Sequence, residues 1–173
     1  MKLLVPSLVA AVLAAACSAQ PDAPRIQLTD VGFVLHLPPR MQQSLDSLAP
    51  GFRTIRTTSF RSDVSQAAAM GAGSMQALFA TVRDLNGDGT PDAVVEGTAP
   101  GDSALQVIAI LNGPHPTALE ITSFPVYDAD AVGIYVAPPA AGTGGAFEVM
   151  NYPDSSTLYT YKDGAFESSS IGS

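Results

Sequence analysis

The sequence predicts one domain of mainly β to α+β class, with an antiparallel sheet built of hairpins plus one or two short helices. Hydrophobic residues make up 46% of the chain and charged residues 14%, while glycine (15) and proline (14) are abundant. This balance is typical of short strands joined by tight turns rather than of a helical bundle. At 173 residues the chain has room for a single sizeable core.

The first part of the chain is predicted to hold two strands and a helix. Residues 32–37 alternate in the manner of a strand, and residues 52–60 are also expected to be extended. Residues 62–74 leave two alternatives open, a short helix capped by Asp63 or a surface loop. The helix is expected at residues 40–48, where apolar side chains recur at helical spacing: Met41, Leu45 and Leu48.

The second part is predicted to be a series of strands. Residues 77–83 and 93–96 lie on either side of an acidic loop and should form a hairpin. Residues 105–111 are the most apolar run, so we expect a central strand, covered on both faces and paired with that hairpin. Further strands are expected at residues 118–124, 133–136, 147–151, 157–161 and 165–167, the last two joined by an Asp-Gly turn.

The acidic loop at residues 84–92 has the composition of a calcium site. Calcium takes six to eight oxygen ligands, and a loop that curls round the ion presents alternate residues to it. The sequence therefore predicts five metal ligands, four through side chains and Thr90 through its carbonyl. They are Asp84, Asn86, Asp88, Thr90 and Asp92. A polar hairpin loop without a metal is the alternative.

The spacing Asp-x-Asn-x-Asp-Gly-x-x-Asp resembles the calcium loop of FG-GAP and VCBS repeats, over a run of roughly residues 79–95. This resemblance implies Ca²⁺ as the bound ion. An EF-hand is excluded, because it needs a bidentate Glu at the twelfth loop position, where this chain has Val95. A propeller is also excluded, because one calcium loop without an internal repeat does not supply several blades.

The N-terminus has the pattern of an export signal. Residues 1–16 begin with a lysine and continue into an apolar run too short to span a membrane. The run ends at Cys17, which is the single cysteine of the chain. Residues 17–25 are interpreted as a polar tether and residues 26–173 as the folded domain.

The residues before Cys17 resemble a bacterial lipobox, which implies that this cysteine is lipidated and becomes the mature N-terminus. The match departs from the family pattern at Ala14, where leucine is preferred. Lipidation would anchor the protein to the bacterial cell envelope, on the periplasmic or surface face of the outer membrane. The alternative is ordinary cleavage after Ala16 or Ala19, which would give a soluble secreted or periplasmic protein.

Charge and motif content exclude several classes of function. The formal charge of −8, without a basic cluster, argues against nucleic acid as a partner. His36 and His115 lie far apart in the sequence, and neither adjoins a nucleophile motif, so no enzyme is expected. The alternative is a hydrolase whose site the sequence does not reveal. Asp128 and Asp130 lack a following glycine turn and are interpreted as loop carboxylates.

Three tyrosines near the C-terminus, Tyr152, Tyr159 and Tyr161, have two interpretations. They could form a carbohydrate-binding face, but cross-strand packing is the commoner use of such residues, and we favour it. The sequence as a whole predicts a non-catalytic envelope lipoprotein, with the calcium loop in a structural or binding role. The alternative is a periplasmic inhibitor or adhesion module that recognises another protein or a glycan.

Overall fold

The computed structural model describes residues 23–72, 77–101, 103–125, 132–139 and 144–171. Their helices and strands follow in the order β1 (Arg25–Thr29), β2 (Gly32–His36), α1 (Pro39–Leu48), β3 (Arg53–Thr54), α2 (Ser62–Ala72), β4 (Ala80–Arg83), β5 (Asp92–Thr98), β6 (Ala104–Leu111), β7 (Thr117–Pro125), β8 (Ile134–Ala137), β9 (Ala146–Asn151), β10 (Ser155–Lys162) and β11 (Ala165–Ile171). The predicted fold class is confirmed, since strands in antiparallel sheets predominate among the described residues, which also form two short helices. No helix in these ranges has the length and apolar character that crossing a bilayer requires.

The strands form three sheets. β1 and β2 make a two-stranded hairpin, and β11, β10, β9 and β8 make a four-stranded sheet in that order. A five-stranded sheet has the order β3-β5-β6-β7, with β4 also paired to β5. The predicted pairing of the acidic hairpin with the apolar strand is confirmed, because β5 runs antiparallel to β6 from Ala93↔Ile110 to Gly97↔Gln106.

Strand β6 lies at the centre of a three-layer arrangement, as its largely apolar sequence, with Gln106 the polar exception, predicts. On one face of the five-stranded sheet, Ile108 and Ile110 pack against helix α1. On the other face, Val107 and Ala109 pack against Phe147 and other residues of the four-stranded sheet. All four of these β6 side chains are fully buried, so the strand is covered on both faces.

Helix α1 covers the five-stranded sheet with one stripe of side chains. Met41, Leu45 and Ala49 are spaced four residues apart and are buried, because that spacing keeps them on one helical face. Leu48, which the sequence places on the same face, is instead 42% exposed. The predicted helix is therefore confirmed, but the residue that completes its buried stripe is Ala49.

The predicted strand at residues 52–60 is wrong beyond its first residues. β3 pairs with β5 only at Arg53↔Thr98 and Thr54↔Gly97. Strand β4 occupies the same edge of β5 between Asp92 and Val95, which leaves no partner for a longer β3. The chain therefore leaves the sheet and forms a 3₁₀ turn at Thr57–Ser59.

The first strand of the described chain differs from the sequence-based expectation. β1 is not predicted by the sequence, and its pairing with β2 from Arg25↔His36 to Thr29↔Gly32 gives this short segment its extended form.

Residues 62–72 form a helix, which decides between the two alternatives, helix or surface loop, that the sequence leaves open. Asp63 lies in the first turn, where its carboxylate accepts a hydrogen bond from the Val64 amide at 3.0 Å.

Glu96, in the middle of β5, is a fully buried carboxyl group. Its cross-strand neighbour is the apolar Val107, and neither of its carboxyl oxygens has a hydrogen-bond partner among the residues that the structure describes. Burial raises the pKa of Glu96 well above its ordinary value. The side chain is therefore held in its neutral form, and it lowers the stability of the sheet rather than adding to it.

We predict that Glu96→Met stabilises the protein at pH 7 by about 1–3 kcal/mol, the cost of a buried polar group without a partner. The gain in the free energy of unfolding from Glu96→Met should be smaller near pH 4 than at pH 7. The unfolded chain loses the Glu96 proton near the ordinary carboxyl pKa, whereas the folded chain keeps it to a higher pH, so the stability of the native protein falls as pH rises above the ordinary carboxyl pKa. Urea unfolding across pH 4–8 measures the difference.

Glu120→Met on β7 is the matched control, because Glu120 is an exposed carboxylate in the same sheet. Its effect on the free energy of unfolding should stay within about 0.5 kcal/mol. An equal gain for both variants, or no dependence of the Glu96→Met gain on pH, would contradict this assignment.

Candidate metal centre

The predicted metal ligands lie in the loop between β4 and β5, which are paired up to Arg83↔Asp92. The loop is therefore the closed end of a hairpin, as the sequence predicts. Gly87 and Gly89 have φ angles of 78° and 83°, which lie in a backbone region that residues with a Cβ rarely adopt. These two glycines let the backbone curl back over the acidic side chains.

Asp84 organises the first half of the loop. Its Oδ1 accepts a hydrogen bond from the Gly87 amide at 2.7 Å, and its Oδ2 accepts one from the Gly89 amide at 2.9 Å. Both backbone amides thus point at one carboxylate, which offsets its negative charge and fixes its position.

Asn86 and Asp88 continue the pattern. The Asp88 amide donates to Asn86 Oδ1 at 3.0 Å, and the Thr90 amide donates to Asp88 Oδ1 at 2.7 Å. The two side chains also meet, since Asn86 Nδ2 donates to Asp88 Oδ2 at 3.0 Å. The Thr90 amide and the Asn86 carboxamide lower the pKa of Asp88, so this exposed group is a carboxylate at neutral pH.

Asp92 closes the loop from beneath and has no exposed surface. Its Oδ2 accepts from the Leu85 amide at 2.8 Å, and its Oδ1 accepts from the Asn112 amide at 2.7 Å, just beyond the end of β6. Burial raises the pKa of Asp92 and the charge of Asp88 adds to that effect, while the donated hydrogen bonds oppose it. Through these two hydrogen bonds, the Asp92 carboxylate connects the loop to the end of the central strand β6.

Asn112 is a member of this site that the sequence reasoning missed. Besides the amide that it donates to Asp92, its side-chain Nδ2 donates to the Pro91 carbonyl at 3.3 Å. The sequence carries one weak signal for it, an Asn-Gly pair at the end of the most apolar strand. Its contact with a loop twenty residues earlier depends on the pairing of β5 with β6.

The oxygen atoms that the loop could offer as metal ligands suit a calcium ion. The loop side chains offer only carboxylate and carboxamide oxygens, which are the hard ligands that calcium prefers. Within the described ranges, no three Asp, Glu, His or Cys side chains converge as a group, so a cation here would also need Asn86 and the Thr90 carbonyl. The acid-rich turn of Asp84, Asn86 and Asp88 above a buried Asp92 fits that mixed set.

The loop also touches the four-stranded sheet. A Cβ at Gly145, just before β9, would lie 2.8 Å from the Leu85 carbonyl oxygen, so this approach needs a glycine. The Tyr161 amide of β10 donates to the Gly145 carbonyl at 3.4 Å. The candidate loop is therefore supported by both large sheets.

Neither of the two histidines lies in this loop. His36 lies in β2, and His115 lies in the turn between β6 and β7. Tyr159 stacks on Phe147, with ring centroids 5.3 Å apart, which confirms cross-strand packing for that tyrosine. Cys17, Asp128 and Asp130 lie outside the described residues.

Comparison with known proteins adds no assignment, since no family model, no curated protein and no solved structure matches this chain significantly. The resemblance of the loop to FG-GAP and VCBS repeats thus stays a prediction that rests on its nine residues.

We predict that Asp92→Ala lowers the free energy of unfolding by about 2–4 kcal/mol, because each buried N–H left without an acceptor costs about 1–3 kcal/mol. The Leu85 and Asn112 amides would both lose their acceptor. Asp92→Asn keeps one acceptor oxygen and should lose roughly half as much. Urea unfolding in the presence of a chelator separates this loss from any effect of a metal, and an unchanged midpoint for Asp92→Ala would contradict the role given to this carboxylate.

Proposed function

We propose that this protein is a non-catalytic, calcium-binding module of the bacterial cell envelope, attached to the membrane through lipid on Cys17. The observation that carries the proposal is the loop between β4 and β5. There, the side chains of Asp84, Asn86 and Asp88 accept hydrogen bonds from backbone amides of the loop. A fourth oxygen-bearing side chain, Asp92, is buried below them. The role of the loop is to hold the β4–β5 hairpin, and with it the ends of β6 and β9, in one fixed arrangement.

Calcium would be held by Asp84, Asn86, Asp88 and Asp92 through their side chains and by Thr90 through its carbonyl. Calcium tolerates an irregular shell of oxygen ligands, whereas magnesium demands a compact octahedron and gives up its water reluctantly. Zinc and copper favour nitrogen and sulfur ligands, which the loop does not provide. When bound, the ion supplies positive charge to a protein whose formal charge is −8.

An exported location agrees with this chemistry. Extracellular calcium modules commonly bind with dissociation constants of about 10⁻⁴–10⁻³ M, which suits a compartment rich in free calcium. The export signal and the calcium loop are independent features of the sequence, and both favour the envelope. A single acyl chain anchors a protein weakly, whereas two or more chains hold it firmly, so lipidation of Cys17 would give stable attachment.

A second candidate function is an adhesion or inhibitor module that recognises a glycan or another protein. It is supported by a cavity of about 480 Å³ that adjoins the loop, described below. Both candidates share the calcium loop and differ in whether a partner binds beside it.

We predict that about 1 mM calcium stabilises the folded protein by about 1 kcal/mol, which follows from mass action at a dissociation constant of 10⁻⁴–10⁻³ M. The melting temperature should rise by about 2–4 °C relative to chelator, and magnesium should have a much smaller effect. Asp88→Ala should remove the calcium response while changing stability in chelator by no more than about 0.5 kcal/mol, because Asp88 is exposed.

Asp46→Ala is the matched control, since it removes the same charge from an exposed position on α1 and should keep the full response. Differential scanning fluorimetry measures the melting temperature, and isothermal titration calorimetry measures the binding. Identical melting of the native protein in calcium and in chelator, with no heat of binding, would refute the proposal.

We also predict that Cys17→Ala moves the protein from the membrane fraction to the soluble fraction or leaves it as an uncleaved precursor. The physical reason is that the acyl chains supply the membrane affinity. Labelled palmitate should enter the native protein and not the variant. A native protein that never incorporates palmitate would instead favour ordinary cleavage after Ala16 or Ala19.

A further inference from the structure

A cavity of about 480 Å³ lies between the candidate calcium loop and the four-stranded sheet, and we call it the loop cavity. Its volume is within the range of small-molecule sites in proteins. The residues that line it and enter the argument are Arg83, Asp84, Asn86, Gly144, Gly145 and Tyr161. The loop, the segment before β9 and strand β10 thus contribute one wall each.

The loop wall offers both hydrogen-bond donors and acceptors. Each Asp84 oxygen accepts one backbone N–H and keeps a further lone pair. The Asn86 carboxamide donates one of its two N–H groups to Asp88 and keeps the other. Arg83 also lines the cavity and adds a positive charge, while its side chain has interactions within the protein. Such a mixture of acceptors and donors, with both signs of charge, matches neighbouring hydroxyl groups rather than an anion.

The opposite wall is aromatic. Tyr161 pairs edge-on with Phe166, its cross-strand neighbour, with ring centroids 5.1 Å apart and an interplanar angle of 65°. This confirms the packing interpretation for Tyr161. The pair also holds the tyrosine ring in position, and the same side chain borders the loop cavity. A tyrosine that borders a cavity can offer both its apolar ring and its hydroxyl group to a ligand with an apolar face and polar edges.

Two glycines of the cavity lining have open surroundings among the described residues. Apart from its own chain neighbours, a Cβ built at Gly87 or at Gly144 would meet no described atom within 4 Å. A ligand could therefore approach the backbone at these two positions without displacing a described side chain.

We propose that the loop cavity binds a sugar, with the pyranose ring against Tyr161 and adjacent hydroxyl groups bonded to Asp84 and Asn86. The net charge of −8 disfavours an anionic ligand, and the polar loop wall disfavours a wholly apolar one. The ligand class is therefore a neutral glycan with a free terminal sugar residue.

This inference rests on the proposed function, because Asp84 and Asn86 serve both the calcium loop and the cavity wall. An ion held by the loop would fix the two side chains that face the sugar. We therefore expect sugar binding to be weaker in chelator than in calcium.

The test is a titration of the ¹⁵N-labelled folded domain with the methyl glycosides of glucose, galactose, mannose, fucose and N-acetylglucosamine, followed by NMR in about 1 mM calcium. At least one glycoside should shift the amide resonances of residues 83–87 and 144–145. Gly144→Phe should weaken that binding by at least about tenfold, because the ring would fill the open space, while the calcium-induced rise in melting temperature stays unchanged. Gly144→Ala is the matched control and should bind as the native protein does.

The outcomes separate the two proposals. If calcium raises the melting temperature but no glycoside binds, or if Gly144→Phe binds as well as Gly144→Ala, the sugar site is refuted and the calcium module stands. If calcium has no effect on melting, the proposed function fails whatever the sugar titration gives. Sugar binding that is equally strong in chelator and in Asp88→Ala would support the cavity and refute its dependence on the loop ion.

Discussion

The carboxylate of Asp92 is the interaction on which the arrangement of the hairpin loop and the central strand depends. One of its oxygens accepts from the Leu85 amide within the loop, and the other accepts from the Asn112 amide just beyond β6. Because the side chain is fully buried, these bonds are made away from water, where a missing partner is costly. The loop is thus fixed to the sheet from beneath, while Asp84, Asn86 and Asp88 are left on its upper side.

Strand β5 contains a second buried acid, Glu96, which lowers the stability of the fold whereas Asp92 raises it. Asp92 and Glu96 both lie on β5 and neither is exposed, but within the described part of the chain the Asp92 carboxylate has hydrogen-bond partners and the Glu96 carboxyl group has none. The difference comes from position. Asp92 stands at the strand end, where loop amides are free to donate, whereas Glu96 stands mid-strand opposite Val107, where the amides are already used in the sheet ladder. β5 therefore carries both a fixing interaction and a destabilising one.

The placement of the loop between two sheets gives it more than a local role. Gly145 approaches the Leu85 carbonyl so closely that only glycine fits, and the loop cavity lies beside this contact. A cation that tightens the loop would therefore also act on the segment before β9. A structural ion and a binding cavity are compatible here, because the side chains of Asp84 and Asn86 have hydrogen-bonding capacity beyond what the loop itself uses.

The sequence by itself determined the elements whose local pattern agrees with their final environment. The run 105–111 is apolar apart from Gln106 and becomes the doubly covered β6, and the alternating ligand-type residues with two glycines fold into the expected loop. Tertiary structure alone decided the rest. β3 is short because β4 occupies the same edge of β5, and Asn112 joins the site because β5 and β6 are paired. These outcomes depend on which strands become neighbours, and pairing between distant segments is not encoded in local periodicity.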